Sequence, residues 1–220
     1  TSKEETQRHG QGQGRLCCKL KKSIYGLCQA GHNWHQLLTG ELEKMGLAAI
    51  EADECTYVMN TSDDDYLVAA IYVDDVTVAY AKQETFEKFL RTLSKVVEVG
   101  SCEDLQWYIG IRIERMAGKT IMSQEKHVMD ALEQFGMKEC HTAPTPATEK
   151  RLTVDDCPAE GSAEQEEMKK CPYRSLVGTL LYMATCTRPD IAYAVNELGR
   201  FVENPGQAHW TAAKRVLRYL

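Results

Sequence analysis

The sequence predicts an α+β protein, and three features predict it. The stretch LVAAIYVDDVTVAY, Leu67 to Tyr80, reads as two short β-rich runs meeting at an acid pair, Asp74-Asp75. Helical spacing of apolar residues recurs before and after it. The chain of 220 residues, 43% hydrophobic and 26% charged, has ample material for a core.

The acid pair demands a physical reason. On the first strand Tyr66, Val68, Ala70 and Tyr72 share one face and Leu67, Ala69, Ile71 and Val73 the other. Both faces are mostly apolar, which predicts burial on both sides. Val76, Val78 and Tyr80 then alternate with Thr77 and Ala79, so an antiparallel hairpin with the acids at its tip is the simplest geometry. Two carboxylates about 4 Å apart repel by roughly 4 kcal/mol at an effective dielectric of 20. A divalent cation offsets that repulsion, and hard oxygen donors suit Mg²⁺. A solvated Asp-Asp turn is the simpler alternative for the dipeptide alone.

The other elements follow in order. Residues 1–14 are polar, end in alternating Gly and Gln, and read as a disordered tail. Trp34, Leu37, Leu38, Leu42 and Met45 keep helical spacing up to a stop at Gly46. Trp34, Leu38 and Leu42 read as core packing, and His32 and His35 as surface residues beside them. A strand is expected around Thr56–Met59, and a turn at 61–65 leads into the hairpin. Phe86, Phe89, Leu90, Leu93 and Val97 define an amphipathic helix over 83–97. Trp107, Ile109, Ile111 and Ile113 alternate as a strand, and an Ala117-Gly118 turn joins it to a partner at 120–122. Ser123 can cap a helix carrying Val128, Leu132 and Phe135. Residues 138–171 hold prolines and many acids and read as an extended linker. Three helices are expected after it: 173–185 burying Leu176, Val177, Leu180 and Leu181; 189–201 opening on Pro189; and 207–220 carrying Trp210, Val216, Leu217 and Leu220.

Charge and cysteine content narrow the classes. The net charge of −6 disfavours a generally basic nucleic-acid binder, yet Arg15, Lys19, Lys21 and Lys22 cluster early and Lys214, Arg215 and Arg218 late. A local basic groove is compatible with the acidic total. Nine cysteines without a CxxC pair read as reduced thiols, not a disulfide framework or zinc site. The longest apolar run, Leu67–Val73, is far too short to span a bilayer, so no membrane partner is expected.

Several stretches together resemble one family. LKKSIYGLCQAGHNW (20–34), YVDD (72–75), WYIGIRI (107–113), Ser123-Gln124, Thr145-Pro146, YRSLVGTLLYMATCTRPDIAYAV (173–195), and His209-Trp210 through Arg218-Tyr219-Leu220 are similar to the reverse transcriptase region of copia-type long-terminal-repeat retrotransposon Pol polyproteins. They stand in that family's order. The resemblance implies a right-hand polymerase with a palm and fingers portion over 15–137 that contains the YVDD hairpin. A helical thumb- or connection-like region over 172–220, leading toward an RNase H domain, follows the linker. It implies RNA-directed DNA synthesis by two-metal nucleotidyl transfer, with Asp74 as principal Mg²⁺ ligand and Asp75 as a more tolerant one. Tyr25, Gly26, Gln29, Tyr72 and Val73 would border the incoming nucleotide, and Tyr108, Ile109 and Gly110 would form the primer-grip hairpin, whose backbone turn supports the primer strand. The implied partners are an RNA template, a DNA primer and product, dNTPs, and the protease, integrase and RNase H of the same polyprotein. The implied location is intracellular: cytoplasmic, in virus-like particles, or nuclear.

Departures qualify these expectations. The family usually has Lys at position 28, Pro at 31 and often Arg at 32; here stand Cys28, Gly31 and His32. Its third catalytic aspartate lies upstream of the KSxYGL stretch, where this chain offers only Glu4 and Glu5; Asp53, the first aspartate, reads as a turn cap. The chain starts at Thr1 and stops within a helical pattern, so a fragment is expected, inactive alone. The alternative reading is a non-catalytic retroelement remnant, or a domesticated module that binds nucleic acid or protein.

Overall fold

A computed structural model of the chain describes residues 20–62, 64–148 and 150–220. The expected tail over 1–14, together with Arg15, Cys17, Cys18, Lys19, Asp63 and Glu149, lies outside the described residues. The chain is mixed α and β with antiparallel sheets and divides into two compact units, Thr1–Glu103 and Asp104–Leu220.

The first unit is a four-stranded antiparallel meander: β1 (Ala48–Ile50), β2 (Asp53–Ser62), β3 (Asp65–Tyr72) and β4 (Asp75–Tyr80), paired in that order. Helices α1 (Ala30–Lys44) and α2 (Gln83–Leu93) contribute Leu38, Leu42, Phe89 and Leu93 to one core with Tyr57, Leu67, Ala69 and Ile71. The core residues of α1 and α2 recur at i and i+4, those of β3 at every second position. Gly46 ends α1 with φ +90°, its N–H donating to the Glu43 carbonyl. One expectation needs correcting. Burial of β3 is one-sided: Leu67, Ala69 and Ile71 are buried, whereas Tyr66 and Tyr72 are about half exposed. The core residues of both helices pack with the same face of the strand, and the opposite face ends in tyrosines whose hydroxyls favour water.

The second unit opens with a three-stranded antiparallel sheet, β5 (Trp107–Tyr108), β6 (Ile111–Met116) and β7 (Lys119–Ser123). The single strand expected across 107–113 is broken, because Ile109 and Gly110 take φ +48° and +75° and reverse the chain. Helix α3 (Glu125–Gln134) follows; the Ser123 hydroxyl accepts from the Glu125 N–H, as its sequence position led one to expect. Within 138–171 the structure places a 3-10 turn, Val154–Asp156, and a short helix, α4 (Ala163–Met168), capped by Ser162. Helices α5 (Tyr173–Cys186), α6 (Ala192–Gly199) and α7 (Gln207–Tyr219) enclose Leu176, Leu180, Met183, Val195, Leu198 and Leu217. Leu181, expected in this core, is 45% exposed. Pro189 opens a 3-10 turn, Pro189–Ile191, ahead of α6, and α6 stops before Phe201.

His209 in the first turn of α7 is fully buried against the Phe201 ring, and its Nδ1 accepts the Gly206 N–H. Burial pulls its pKa below the ordinary 6.5, against the opposing pull of the Asp156 and Glu164 carboxylates. A histidine kept neutral in the fold stabilises it fully above the unfolded pKa, and that contribution is lost as the pH falls through the folded value. The urea midpoint of the second unit is therefore expected to be level above about pH 7 and to fall on acidification below 6.5. His209→Gln, which keeps an acceptor for Gly206, should flatten the curve between roughly pH 7 and 5. The acid response of Asp190, held at about 2 chiefly by its hydrogen bonds from Arg188, falls in a separate window below 3.8.

Candidate active site

Tyr72 pairs with Asp75, so the hairpin closes through a loop of two residues, Val73 and Asp74. Such loops demand positive φ at their first position, where glycine is the usual choice. Here Val73 takes φ +54°. A β-branched residue in that region costs of order 1–3 kcal/mol and persists only where its surroundings hold it. A tryptophan supplies part of that hold: the Trp34 indole N–H donates to the Val73 carbonyl at 2.8 Å. Trp34 was expected only to pack the core; it packs against the core and also clamps the loop.

Both acids are exposed at the tip. The Tyr25 hydroxyl donates to Asp74 Oδ2 at 2.5 Å. That hydrogen bond, and the carboxylate charge behind it, push the Tyr25 phenol pKa up. Gly26, at φ +93°, makes the bend that follows Tyr25. Gln29 is exposed in the residue before α1, its carbonyl accepting the Asn33 N–H. The structure thus brings Tyr25, Trp34, Val73 and Asp74 into contact, places Tyr72 and Asp75 on the adjoining strand ends, and puts Gly26 and Gln29 on the lead-in to α1.

Two exposed carboxylates on a tight loop are hard oxygen ligands, and Mg²⁺ is commonly held by one or two carboxylates with water and substrate phosphates completing its shell. Asp74 and Asp75 fit that pattern. Among the described residues no group of three His, Cys, Asp or Glu side chains gathers for a closed protein cage. Asp53 commits both oxygens locally, to the Cys55 N–H and the Thr56 hydroxyl at the start of β2. Those hydrogen bonds hold its carboxyl below the usual range, in keeping with a turn cap.

In the second unit, Tyr108 ends β5, and Ile109 and Gly110 form the two-residue loop to β6. Ile109 and Val73 are the two non-glycine residues with positive φ among the described residues. The Ile109 carbonyl accepts the Tyr182 hydroxyl, and His127 meets the Tyr182 ring edge-on. Each strained loop therefore has its carbonyl held by an aromatic donor distant in sequence. Sequence reasoning missed both Trp34 and Tyr182. The available signal was Val and Ile where a two-residue loop calls for glycine, but that signal does not name the clamp.

Trp34→Phe keeps most of the ring's packing and removes the N–H. The expected result is a loss of about 0.5–1.5 kcal/mol in the first unit, with faster amide exchange at the hairpin tip. Unchanged exchange at 73–75 would show that the clamp has no role.

Comparison with known proteins gives the class. The profile of the reverse transcriptase (RNA-dependent DNA polymerase) family matches residues 5–149, and the chain belongs to that family. More particularly, it is similar to Pol polyproteins of copia-type transposons. The chain is 37% identical over 212 residues to the retrovirus-related Pol polyprotein from transposon TNT 1-94 of Nicotiana tabacum, covering 95% of this chain and 16% of that one. It is 33% and 32% identical to the corresponding polyproteins from transposons RE2 and RE1 of Arabidopsis thaliana, covering 92% of this chain and 13% of each. The chain therefore spans about one sixth or less of these relatives' length. No solved structure matches.

Proposed function

We propose that the chain carries the metal- and nucleotide-facing part of an RNA-directed DNA polymerase. The observation that carries the reading is the tip of the hairpin: two adjacent exposed carboxylates, one in a strained loop and one just after it, with the loop's Val73 carbonyl and the first acid each held by a side chain from residues 25–34. A polymerase needs carboxylates fixed in place before substrate arrives, because phosphoryl transfer is catalysed mostly by positioning and charge neutralisation. Two bound Mg²⁺ ions would supply the activation of a primer hydroxyl and the neutralisation of the leaving phosphates. Asp74 and Asp75 would provide their oxygens. Tyr25 orients Asp74, and Trp34 fixes the loop. Tyr72 and Val73, both exposed, would border the primer end and the incoming dNTP, with Gly26 and Gln29 beside them. Tyr108, Ile109 and Gly110 would support the primer strand through their backbone.

In this reading residues 15–137 hold the palm and fingers portion and 172–220 a connection toward RNase H, joined by 138–171. The partners are the RNA template, DNA primer and product, dNTPs, and the remaining polyprotein enzymes, in cytoplasmic particles or the nucleus. The 220 residues alone are expected to extend a primed RNA template at background rate, since the third carboxylate of the family is not among them. Primer extension with Mg²⁺ tests this: robust incorporation by the chain alone would refute the expectation. Incorporation only by a longer polypeptide that supplies the upstream aspartate supports it.

A further inference from the structure

The helical unit holds a second feature that bears on nucleic acid. A cavity of about 310 Å³ lies between residues 146–148 and 150–152, α6 and α7. Its floor is apolar, with Leu152, Leu198 and Val216 contributing. Among its described lining residues are Lys150, Arg151 and Arg215, with Glu197 as the acid beside them. Tyr193 lines it too and is 71% exposed, an unusual degree for a tyrosine beside an apolar hollow.

The cations differ in how far they are neutralised. Lys150 is paired with Asp156 at 3.1 Å. Arg151 reaches Glu197 at 3.5 Å, but Glu197 also accepts from Arg200 at 3.1 Å, so its charge is shared. Arg215 has no acid partner among the described residues; its Nη2 donates to the Thr145 hydroxyl at 2.9 Å. A guanidinium without a carboxylate partner keeps its charge available, and a phosphate oxygen is the acceptor its fork matches best. An apolar hollow, an exposed aromatic ring and a set of cations at one place are what an unpaired nucleotide needs. The base finds apolar and π surface, and the phosphate finds charge.

We propose that this cavity is a subsite for one unpaired nucleotide, with its phosphate on Arg215, Arg151 and Lys150 and its base against Tyr193 and the apolar floor. The inference rests on the reading that the chain handles nucleic acid, and it gives that activity a contact surface in the helical unit. The same chemistry comes from a single strand or from a free nucleotide.

The test uses the 220-residue chain and fluorescence anisotropy of a labelled oligothymidylate, with thymidine 5′-monophosphate as competitor. Arg215→Gln should weaken binding roughly tenfold and reduce the slope of log K against log salt by about 0.7. Tyr193→Ala should cost a factor of roughly five or more through lost stacking. Glu197→Gln removes the competing acid and should tighten binding severalfold, a gain that a damaged fold does not produce. Competition by the monophosphate near the oligonucleotide's own concentration range assigns the site to free nucleotides; its failure assigns it to strands. Absence of oligonucleotide binding by the parent chain, or variants that all bind like the parent with an unchanged salt slope, would overturn the subsite. The polymerase reading is judged separately, by whether nucleotide incorporation depends on Asp74.

Discussion

In a polymerase that contains this chain, Asp74→Asn is expected to lower nucleotide incorporation by about a thousandfold or more, roughly 4 kcal/mol of transition-state stabilisation. Asp75→Asn is expected to cost distinctly less, on the order of tenfold. The asymmetry comes from the hairpin. Asp74 is the second residue of the loop, beside strained Val73 and held by Tyr25, so its oxygens are fixed in advance. Asp75 begins β4 opposite Tyr72, and no comparable clamp on it is seen among the described residues. Asparagine is nearly the same size but removes one negative charge and half of the anionic oxygen set, the property a hard cation requires. Both residues are solvent-exposed at a loop, so neither substitution should disturb the core of Leu67, Ala69 and Ile71. Far-ultraviolet circular dichroism and the urea midpoint should therefore stay close to the parent's while incorporation collapses. Equal losses for the two variants would sink the assignment of Asp74 as the principal ligand. Full activity for Asp74→Asn would sink the metal site itself. Tyr25→Phe separates orientation from ligation: it leaves both carboxylates in place, so its cost should be far below that of Asp74→Asn.

The loop shows what a sequence encodes locally and what it leaves to tertiary contact. Two alternating runs around Asp74-Asp75 were enough to anticipate the hairpin, because a period of two is a property of each strand by itself. The helices over 30–44 and 83–93 were legible for the same reason, through spacing of i and i+4, although the second stops at Leu93 and not at 97 as its apolar spacing suggests. Which faces are buried was less so. Val68 and Ala70 look as apolar as Leu67 and Ala69, and only the packing of α1 and α2 on one side of β3 decides between them. Periodicity hid the break at Ile109-Gly110, because Trp107, Ile109, Ile111 and Ile113 keep alternation even though the chain reverses between the second and third; only the family resemblance pointed to a hairpin turn there. Trp34 and Tyr182 were illegible as clamps because each acts on a carbonyl 39 or 73 residues away. Ordinary packing explains a tryptophan and a tyrosine in helices equally well, and no local pattern distinguishes the two roles.

The largest stability effect expected from a single methyl group is at Gly206, the residue before α7. Its backbone is extended, with φ −98° and ψ 177°, so the torsions themselves tolerate any residue. The obstacle is space. A Cβ there would lie 2.2 Å from the Asp156 carbonyl oxygen and 3.2 Å from Glu164 Oε1. The first neighbour is backbone and cannot swing aside. Asp156 is pinned by its own turn, where its carboxylate accepts the Thr153 N–H at 2.9 Å and the Lys150 ammonium at 3.1 Å. Relief therefore requires the 3-10 turn at 154–156 and the start of α7 to part. That motion strains the Gly206 N–H bond to His209 Nδ1 and the Gln207 N–H bond to Glu164, and it loosens buried His209 from Phe201. Overpacking together with loss of a helix cap gives an expected cost of roughly 2–4 kcal/mol for Gly206→Ala. With a urea m-value of about 1–3 kcal/mol per molar, the midpoint of the helical unit should fall by about 1 M or more. Gly178→Ala is the matched control. Gly178 lies inside α5 with nothing within 4 Å of the added methyl, so alanine there should stabilise by about 0.5–1 kcal/mol through helix propensity. Opposite signs for the same chemical change, read as urea midpoints of the two variants, isolate the close approach at Asp156 as the cause. A Gly206→Ala protein as stable as its parent would show that the turn and the helix are not held against each other.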